Sequence, residues 1–350
     1  MTKNYLDVVV LYSIKKLEGE RSPSAVFHLL RGKKSSQTIQ DRQLFHLSHL
    51  FSIFPKLSRE EMNNCINRLE QKNLIEKVNE NCSELTETGH SFLTAALITH
   101  PIPIHLNGQL YGDLGRVFWG RFSILTQVLS HLLSNNKNYI PITRDEQLLA
   151  WVKVYLKTQK KMKITELANG IYSELSAALD QLSNIECQVF VWHISSNDRV
   201  GFTFDQIAER IGKDIVYTQL LFWNVIHFLL KKTIGSKKPI FLSLLPEIKR
   251  QNRLTFSTEE TRRLLKEGYS IKDAAVLRKL KESTIEDHIV EIALYDDKFS
   301  LQGYLTESEI DEIVQRAKEL NTFQLKRLRD SLDNKFSYFQ IRLAIAKAWR

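Results

Sequence analysis

The chain has 350 residues, of which 43% are hydrophobic and 25% are charged, and its formal net charge is +9. This balance excludes a largely disordered chain, and the low numbers of glycines (13) and prolines (7) argue against a turn-rich all-β fold. We therefore expect a mostly α-helical, multi-domain protein, without a membrane span because the longest apolar run, Leu220–Leu230, is much shorter than the roughly 20 residues required.

The first predicted domain, residues 1–105, opens with helices. The stretch Thr38–Phe54 is predicted to be the third of them, and Pro55 ends it. Lys33 and Lys34 lie in the loop before it, close to Arg31. We interpret these two lysines either as a nucleic-acid contact or as an ordinary solvated loop.

The second half of this domain shows a more specific pattern. Ser58 followed by Glu61 is a capping box, which predicts the start of a helix. A short strand at 73–78, a turn at 79–83 and the sequence LTETG at 85–89 follow, before another helix. Helix, strand, turn, strand and helix in this order resemble the recognition helix and wing of winged-helix proteins.

The middle of the chain reads as a helical core. Glycines and prolines cluster at 101–120, which predicts a first domain boundary, and residues 121–232 then form a second domain rich in aromatic residues. The segment Phe204–Leu221 has the spacing of a helix-turn-helix, but its second helix is apolar all round. We expect that helix to be buried and structural. A basic stretch, 231–256, is predicted to be the second linker.

No sequence pattern for catalysis or cofactor binding is evident. Gly32–Ser35 only superficially resembles a P-loop, because the glycine required five positions before the Gly-Lys pair is Phe27. The three cysteines lack metal-type spacing, which predicts reduced thiols in the cytoplasm and no metal site. We expect a non-enzymatic protein without cofactors; a hydrolase with a dispersed site is the alternative.

The third predicted domain, residues 254–350, contains a second helix-turn-helix. Ser270 caps its first helix, Ala274 and Ala275 are the small residues that a close helix crossing needs, and Lys279 stands where glycine is usual. The second helix begins at Glu282 or Ser283, and its inward stripe is Ile285, Ile289 and Ile292.

This third domain resembles a known helicase module. Residues 267–291, EGYSIKDAAVLRKLKESTIEDHIVE, are similar to the helix-turn-helix at the C-terminus of RecQ-type DNA helicases, and 338–348 resemble that module's last helix. Residues 28–42, HLLRGKKSSQTIQDR, are similar to the start of YpbB-type bacterial proteins. The resemblance implies a role beside a RecQ-family helicase in DNA repair or recombination, without helicase activity of its own.

The candidate binding residues fall into two sets. Basic and hydroxyl side chains of the module and its tail are the candidates for nucleic-acid contact, together with Lys33 and Lys34: Lys272, Arg278, Lys279, Lys281, Ser283, Thr284, Lys326, Arg327 and Arg329. The outward residues of the second helix are rich in acids, which repel DNA and favour a protein partner: Glu286, Asp287, His288 and Glu291. A purely structural module is the third interpretation.

Two functions remain open from the sequence. The first is an accessory protein that binds a RecQ-family helicase and possibly DNA. The second is an independent transcription regulator, which would be expected to form a dimer and bind a palindromic site.

Overall fold

The computed structural model describes residues 4–79, 81–159, 162–236, 239–246 and 254–349. Eighteen helices and one two-stranded sheet lie within these ranges, which confirms the mostly α-helical fold class. In chain order the elements are α1 Tyr5–Leu17, α2 Pro23–Arg31, α3 Ser36–Leu44, α4 Arg59–Gln71, β1 Ile75–Lys77, β2 Ser83–Leu85, α5 Glu87–Thr99, α6 Gly108–Leu133, α7 Glu146–Thr158, α8 Ile164–Leu179, α9 Asn184–Trp192, α10 Phe204–Ile211, α11 Ile215–Ser236, α12 Pro239–Ser243, α13 Phe256–Lys266, α14 Ile271–Arg278, α15 Glu282–Tyr295, α16 Glu307–Leu320, α17 Leu325–Ser331 and α18 Tyr338–Ala348.

The hairpin lies where the sequence predicts it. The capping box of Ser58 and Glu61 starts α4, and β1 pairs antiparallel with β2 with Ile75 opposite Leu85. The expected helix at 38–54 is wrong in its length, because α3 ends at Leu44. The chain then turns so that backbone N–H groups of Ser52 and Phe54 donate to carbonyls of α2. The winged-helix resemblance stays a prediction.

The glycines at 108–120 are helical rather than part of a loop, and the domain boundary predicted at 101–120 stays a prediction. They lie in the 26-residue helix α6, where the absence of a side chain permits close packing. A Cβ on Gly108 would lie 1.8 Å from the carbonyl oxygen of Phe51, and one on Gly115 would lie 3.1 Å from Ile226. Division of the chain into three domains stays a prediction, and the predicted linker at 231–256 lies partly outside the described residues.

The aromatic residues of the middle segment form a core, as expected. Trp119 and Phe222 meet edge to face at 4.8 Å, and Phe190 lies 5.7 Å from Phe122. The helix-turn-helix of α10 and α11 belongs to this core: Leu220 is fully buried. The prediction that this second helix is buried is confirmed.

Helix α15 is the centre of the C-terminal segment. It packs against α13, α14 and α18, and on another side it contacts α3 from the beginning of the chain. Polar contacts accompany this long-range packing: the side-chain amide of Gln40 donates to the carbonyl of Arg342 at 3.0 Å, and the Arg42 guanidinium donates to the Tyr295 hydroxyl at 2.7 Å. Residues 302 and 253 positions apart are thereby joined.

Candidate nucleic-acid interface

The helix-turn-helix of α14 and α15 forms as its sequence predicts. The Ser270 hydroxyl accepts from the backbone N–H of Asp273, and the Asp273 carboxylate accepts in return, which completes a capping box. Lys279 ends α14 in the left-handed region, at φ 52°. Glycine is favoured in this conformation, so Lys279 replaces glycine in sequence but adopts its backbone geometry.

The second helix is far more buried than a recognition helix that reads base edges. The predicted stripe of Ile285, Ile289 and Ile292 is fully buried, which confirms that part of the prediction. His288 and Glu291 were expected to face outward, and this is wrong: they are 8% and 4% exposed. Helices α13, α3 and α18 all pack against α15 and cover its sides. The sequence of α15 alone does not reveal this packing.

Both buried polar side chains have partners on α13 or at its cap. The Glu291 carboxylate accepts from the backbone N–H of Thr255 at 2.6 Å and from the Thr258 hydroxyl at 2.6 Å. The Thr261 hydroxyl lies 2.7 Å from Nδ1 of His288. Burial, reinforced by the nearby Arg278 guanidinium, lowers the pKa of His288 to about 4. These contacts bind α13 to α15 inside the module.

Arg278 is also an internal residue rather than an open phosphate contact. Its guanidinium donates to the Ser257 carbonyl at 2.6 Å, to the Thr261 hydroxyl, and to the Glu260 carboxylate at 2.8 Å. Its donors are directed at α13, which disfavours the predicted phosphate contact of Arg278. The side chain joins the end of α14 to α13.

The candidate binding residues that are exposed lie on α14, on the turn and at the start of α15. Lys272, Lys279, Lys281 and Ser283 are exposed, and Thr284 is half-buried. Two acidic residues, Glu286 and Asp287, follow on the first turns of α15 and are half-buried. Burial and the neighbouring carboxylates of Asp287 and Glu282 raise the pKa of Glu286. This surface therefore offers lysines from one helix and carboxylates from the next.

The other cations predicted to contact nucleic acid differ in their exposure and in their intramolecular contacts. Lys326 and Arg327 on α17 are exposed, whereas Arg329 is half-buried with its guanidinium 4.9 Å from the centre of the Tyr338 ring. Lys33 is exposed, and the Lys34 ammonium lies 3.0 Å from the Asp113 carboxylate.

Sequence reasoning missed an apolar part of this surface. Val276 and Leu277 on α14 are 78% and 55% exposed, and Tyr269 just before the helix is 43% exposed. A signal was available: α14 contains four consecutive apolar residues, and a helix with 3.6 residues per turn cannot turn all four inward. Ala274 and Ala275 face the core, so the next two face solvent.

Among the described residues, no group of three or more His, Cys, Asp or Glu side chains is placed to hold a metal ion. No helix in the described ranges is long and apolar enough to cross a membrane.

Comparison with known proteins extends these observations. A family model described as a helix-turn-helix domain matches residues 257–345, which span α13 to α18. Protein YpbB of Bacillus subtilis (strain 168) is 38% identical over 348 residues, which cover 99% of this chain and 98% of that protein. No solved structure matches. With the similarity extending over both chains almost from end to end, the protein belongs to the YpbB family.

Proposed function

We propose that this protein is a non-catalytic accessory factor of a RecQ-family DNA helicase, acting in the cytoplasm, and that its C-terminal helix-turn-helix contacts both the helicase and DNA. The observation that carries this proposal is the surface of α14 and its turn. It combines exposed lysines with exposed apolar side chains, on a module that a helix-turn-helix family model matches. The helicase itself is proposed from the sequence resemblance of residues 267–291.

The DNA contact is proposed to be with the phosphate backbone. Lys272, Lys279 and Lys281 are exposed and carry the positive charge that phosphates attract. Base reading by α15 is disfavoured, since its middle and end are buried and its exposed first turns carry acids. Such binding depends steeply on salt and little on base sequence.

Fluorescence anisotropy with labelled duplex and single-stranded DNA between 50 and 200 mM salt tests this contact. Replacement of the three lysines by Gln is expected to weaken binding and to reduce the log–log salt slope by about 0.9 per lost duplex contact. A control variant replaces three other exposed lysines, Lys153, Lys157 and Lys318, by Gln, with the same change of charge. Equal loss in both variants would contradict the proposed surface, and strong sequence preference would favour a transcription regulator.

The helicase contact is proposed at Val276 and Leu277. Exposed apolar side chains next to polar ones are typical of protein interfaces. Size-exclusion chromatography with light scattering, on the full chain mixed with the RecQ-family helicase of the same organism, is expected to show a complex. Leu277→Glu should abolish it, whereas Val154→Glu, at an exposed apolar position of α7, should not. Absence of a complex at micromolar concentration would overturn this contact.

A further inference from the structure

A cavity of about 380 Å³ lies between α3, the first turns of α6 and the beginning of the C-terminal module. Its walls combine apolar side chains with Lys34, Arg42, Ser52, Asp113 and Thr255. The size is within the range of small-molecule sites. The cavity adjoins three parts of the chain that are distant in sequence.

Arg42 is the unusual feature of this cavity. It is only 5% exposed, and no carboxylate of the described residues lies within 4.0 Å of its guanidinium. Its Nη2 donates to the Tyr295 hydroxyl at 2.7 Å and its guanidinium lies 4.3 Å from the centre of the Phe51 ring, but its Nε has no hydrogen-bond partner. Buried charges are normally paired, because desolvation without a counter-charge is costly.

Another buried charge on α3 has a partner of opposite charge. Asp41, the neighbour of Arg42 on α3, is equally buried and accepts from Arg21 at 2.9 Å. At the cavity, by comparison, Asp113 is the acid and is shared by Lys34 at 3.0 Å and Arg116 at 2.6 Å. Among the described residues that line the cavity, the charged ones are Lys34, Arg42 and Asp113, which leaves an excess of one positive charge.

The first three backbone N–H groups of α6 are not free to donate to an anion in the cavity. The N–H groups of Gly108 and Gln109 donate to backbone carbonyls at 3.0 and 3.1 Å, and that of Leu110 donates to the Asn107 side chain. A ligand would therefore be held by side chains, with the Arg42 guanidinium, whose Nη2 already donates to Tyr295, as the principal positive charge.

We propose that this cavity binds a small molecule bearing an oxyanion group, phosphate or carboxylate, which Arg42 and Lys34 recognise. Such a ligand neutralises the buried guanidinium and fills the space between α3 and the beginning of the C-terminal module. A ligand that binds the folded chain and not the unfolded chain raises the melting temperature of the protein. No α14 residue is among the described residues that line the cavity, so DNA and helicase binding are tested separately.

Isothermal titration of the full chain with inorganic phosphate, and in parallel with acetate, tests the site at constant ionic strength. We expect saturable binding of one anion per chain, and the better of the two probes identifies the group. Arg42→Met should weaken binding roughly tenfold or more, since the charge-assisted contact with the buried guanidinium is lost. Lys34→Gln should weaken it about threefold, as expected for an exposed cation.

Lys33→Gln is the matched control, because Lys33 is the exposed neighbour of Lys34 and does not line the cavity among the described residues. It should bind like the wild type. Lys34→Gln keeps the test decisive if Arg42→Met fails to fold. The proposal is overturned if neither probe gives saturable binding, or if Lys33→Gln and Lys34→Gln weaken it equally.

Discussion

The guanidinium of Arg342 on α18 lies 2.5 Å from the carboxylate of Asp287 on α15. The same guanidinium donates to Gln40 at 3.3 Å and to the hydroxyl of Ser36, both on α3. One side chain therefore joins the last helix, the second helix of the helix-turn-helix and the beginning of the chain. Asp287, expected from the sequence to meet a partner protein, has an intramolecular partner in this structure.

Replacing Arg342 by Ala should destabilise the fold. The variant loses charge-assisted hydrogen bonds in a half-buried site, so the free energy of unfolding should fall by about 1–3 kcal/mol. Urea denaturation followed by circular dichroism measures the change. Arg327→Ala, at an exposed position of α17, is the control and should stay within about 0.5 kcal/mol of the wild type. Equal loss in the two variants would show that the Arg342 contacts contribute nothing.

Lys279→Gly should stabilise the protein, although it removes a candidate phosphate contact. Lys279 has φ 52°, and a non-glycine residue in this region costs about 1 kcal/mol or more. The gain should be several tenths of a kcal/mol to about 1 kcal/mol after the added chain entropy of glycine is subtracted. Thermal denaturation is the measurement. Asn321→Gly is the matched control: Asn321 also ends a helix with positive φ, but asparagine tolerates this conformation, so its gain should be smaller. A destabilised Lys279→Gly variant would contradict the assignment of strain.

His288 should make the fold sensitive to acid. Its pKa is about 4 in the folded chain and 6.5 when unperturbed, so the unfolded state takes up the proton first. The contribution of the neutral, buried ring is therefore complete above about pH 6.5 and is lost as the pH falls toward 4, by up to about 1.4 kcal/mol per pH unit. His288→Gln should flatten the stability profile in this window.

Urea unfolding at pH 7.5, 5.5 and 4.5 compares the profiles. His90→Gln, at an exposed position, should keep the slope of the wild type. If the His288→Gln profile has the same slope as that of the wild type, His288 is not the group responsible. His227, buried and with its pKa lowered to about 3 by burial and by Arg116, should contribute in the same direction.

Gly108→Ala should destabilise the junction of α6 with the preceding chain. The new Cβ would lie 1.8 Å from the Phe51 carbonyl oxygen, so the backbone has to move, at a cost of roughly 1–3 kcal/mol or more. Gly235→Ala is the control, because nothing lies within 4 Å of its added Cβ. It should raise stability by up to about 1 kcal/mol, as alanine is the better helix former. Melting temperatures that move in the same direction would contradict the packing described for Gly108.

The parts of the fold that depend on local chemistry were predictable. Ser58 and Ser270 each cap the helix that the sequence assigns to them, since a capping box is formed by residues three positions apart. The turn at Lys279 was also located, because the small residues before it and the caps around it restrict the alternatives. These signals need no knowledge of the rest of the chain.

The parts that depend on distant contacts were not. Helix α3 ends early because the chain after Leu44 folds back onto α2, which no local pattern reveals. His288 and Glu291 point inward because hydroxyl groups of α13 satisfy them. Each of them lies three positions from another buried residue of α15, a helical spacing that indicates an inward position. Their polarity, however, predicts an outward one. Arg42 was missed because its lack of a carboxylate partner among the described residues depends on how three distant segments of the chain pack together.

The pairing of Gln40 with Arg342 also has a consequence for synthesis of the chain. The two residues are 302 positions apart, and ribosomes add roughly 5–20 residues per second, so Gln40 emerges about 15–60 s before Arg342. During that interval α3 can pack against α2, but the face that contacts α15 and α18 has no native partner until those helices are made. Synthesis of the C-terminal helices is the event that covers this face, so nascent or prematurely terminated chains are the species most exposed to aggregation and to chaperones.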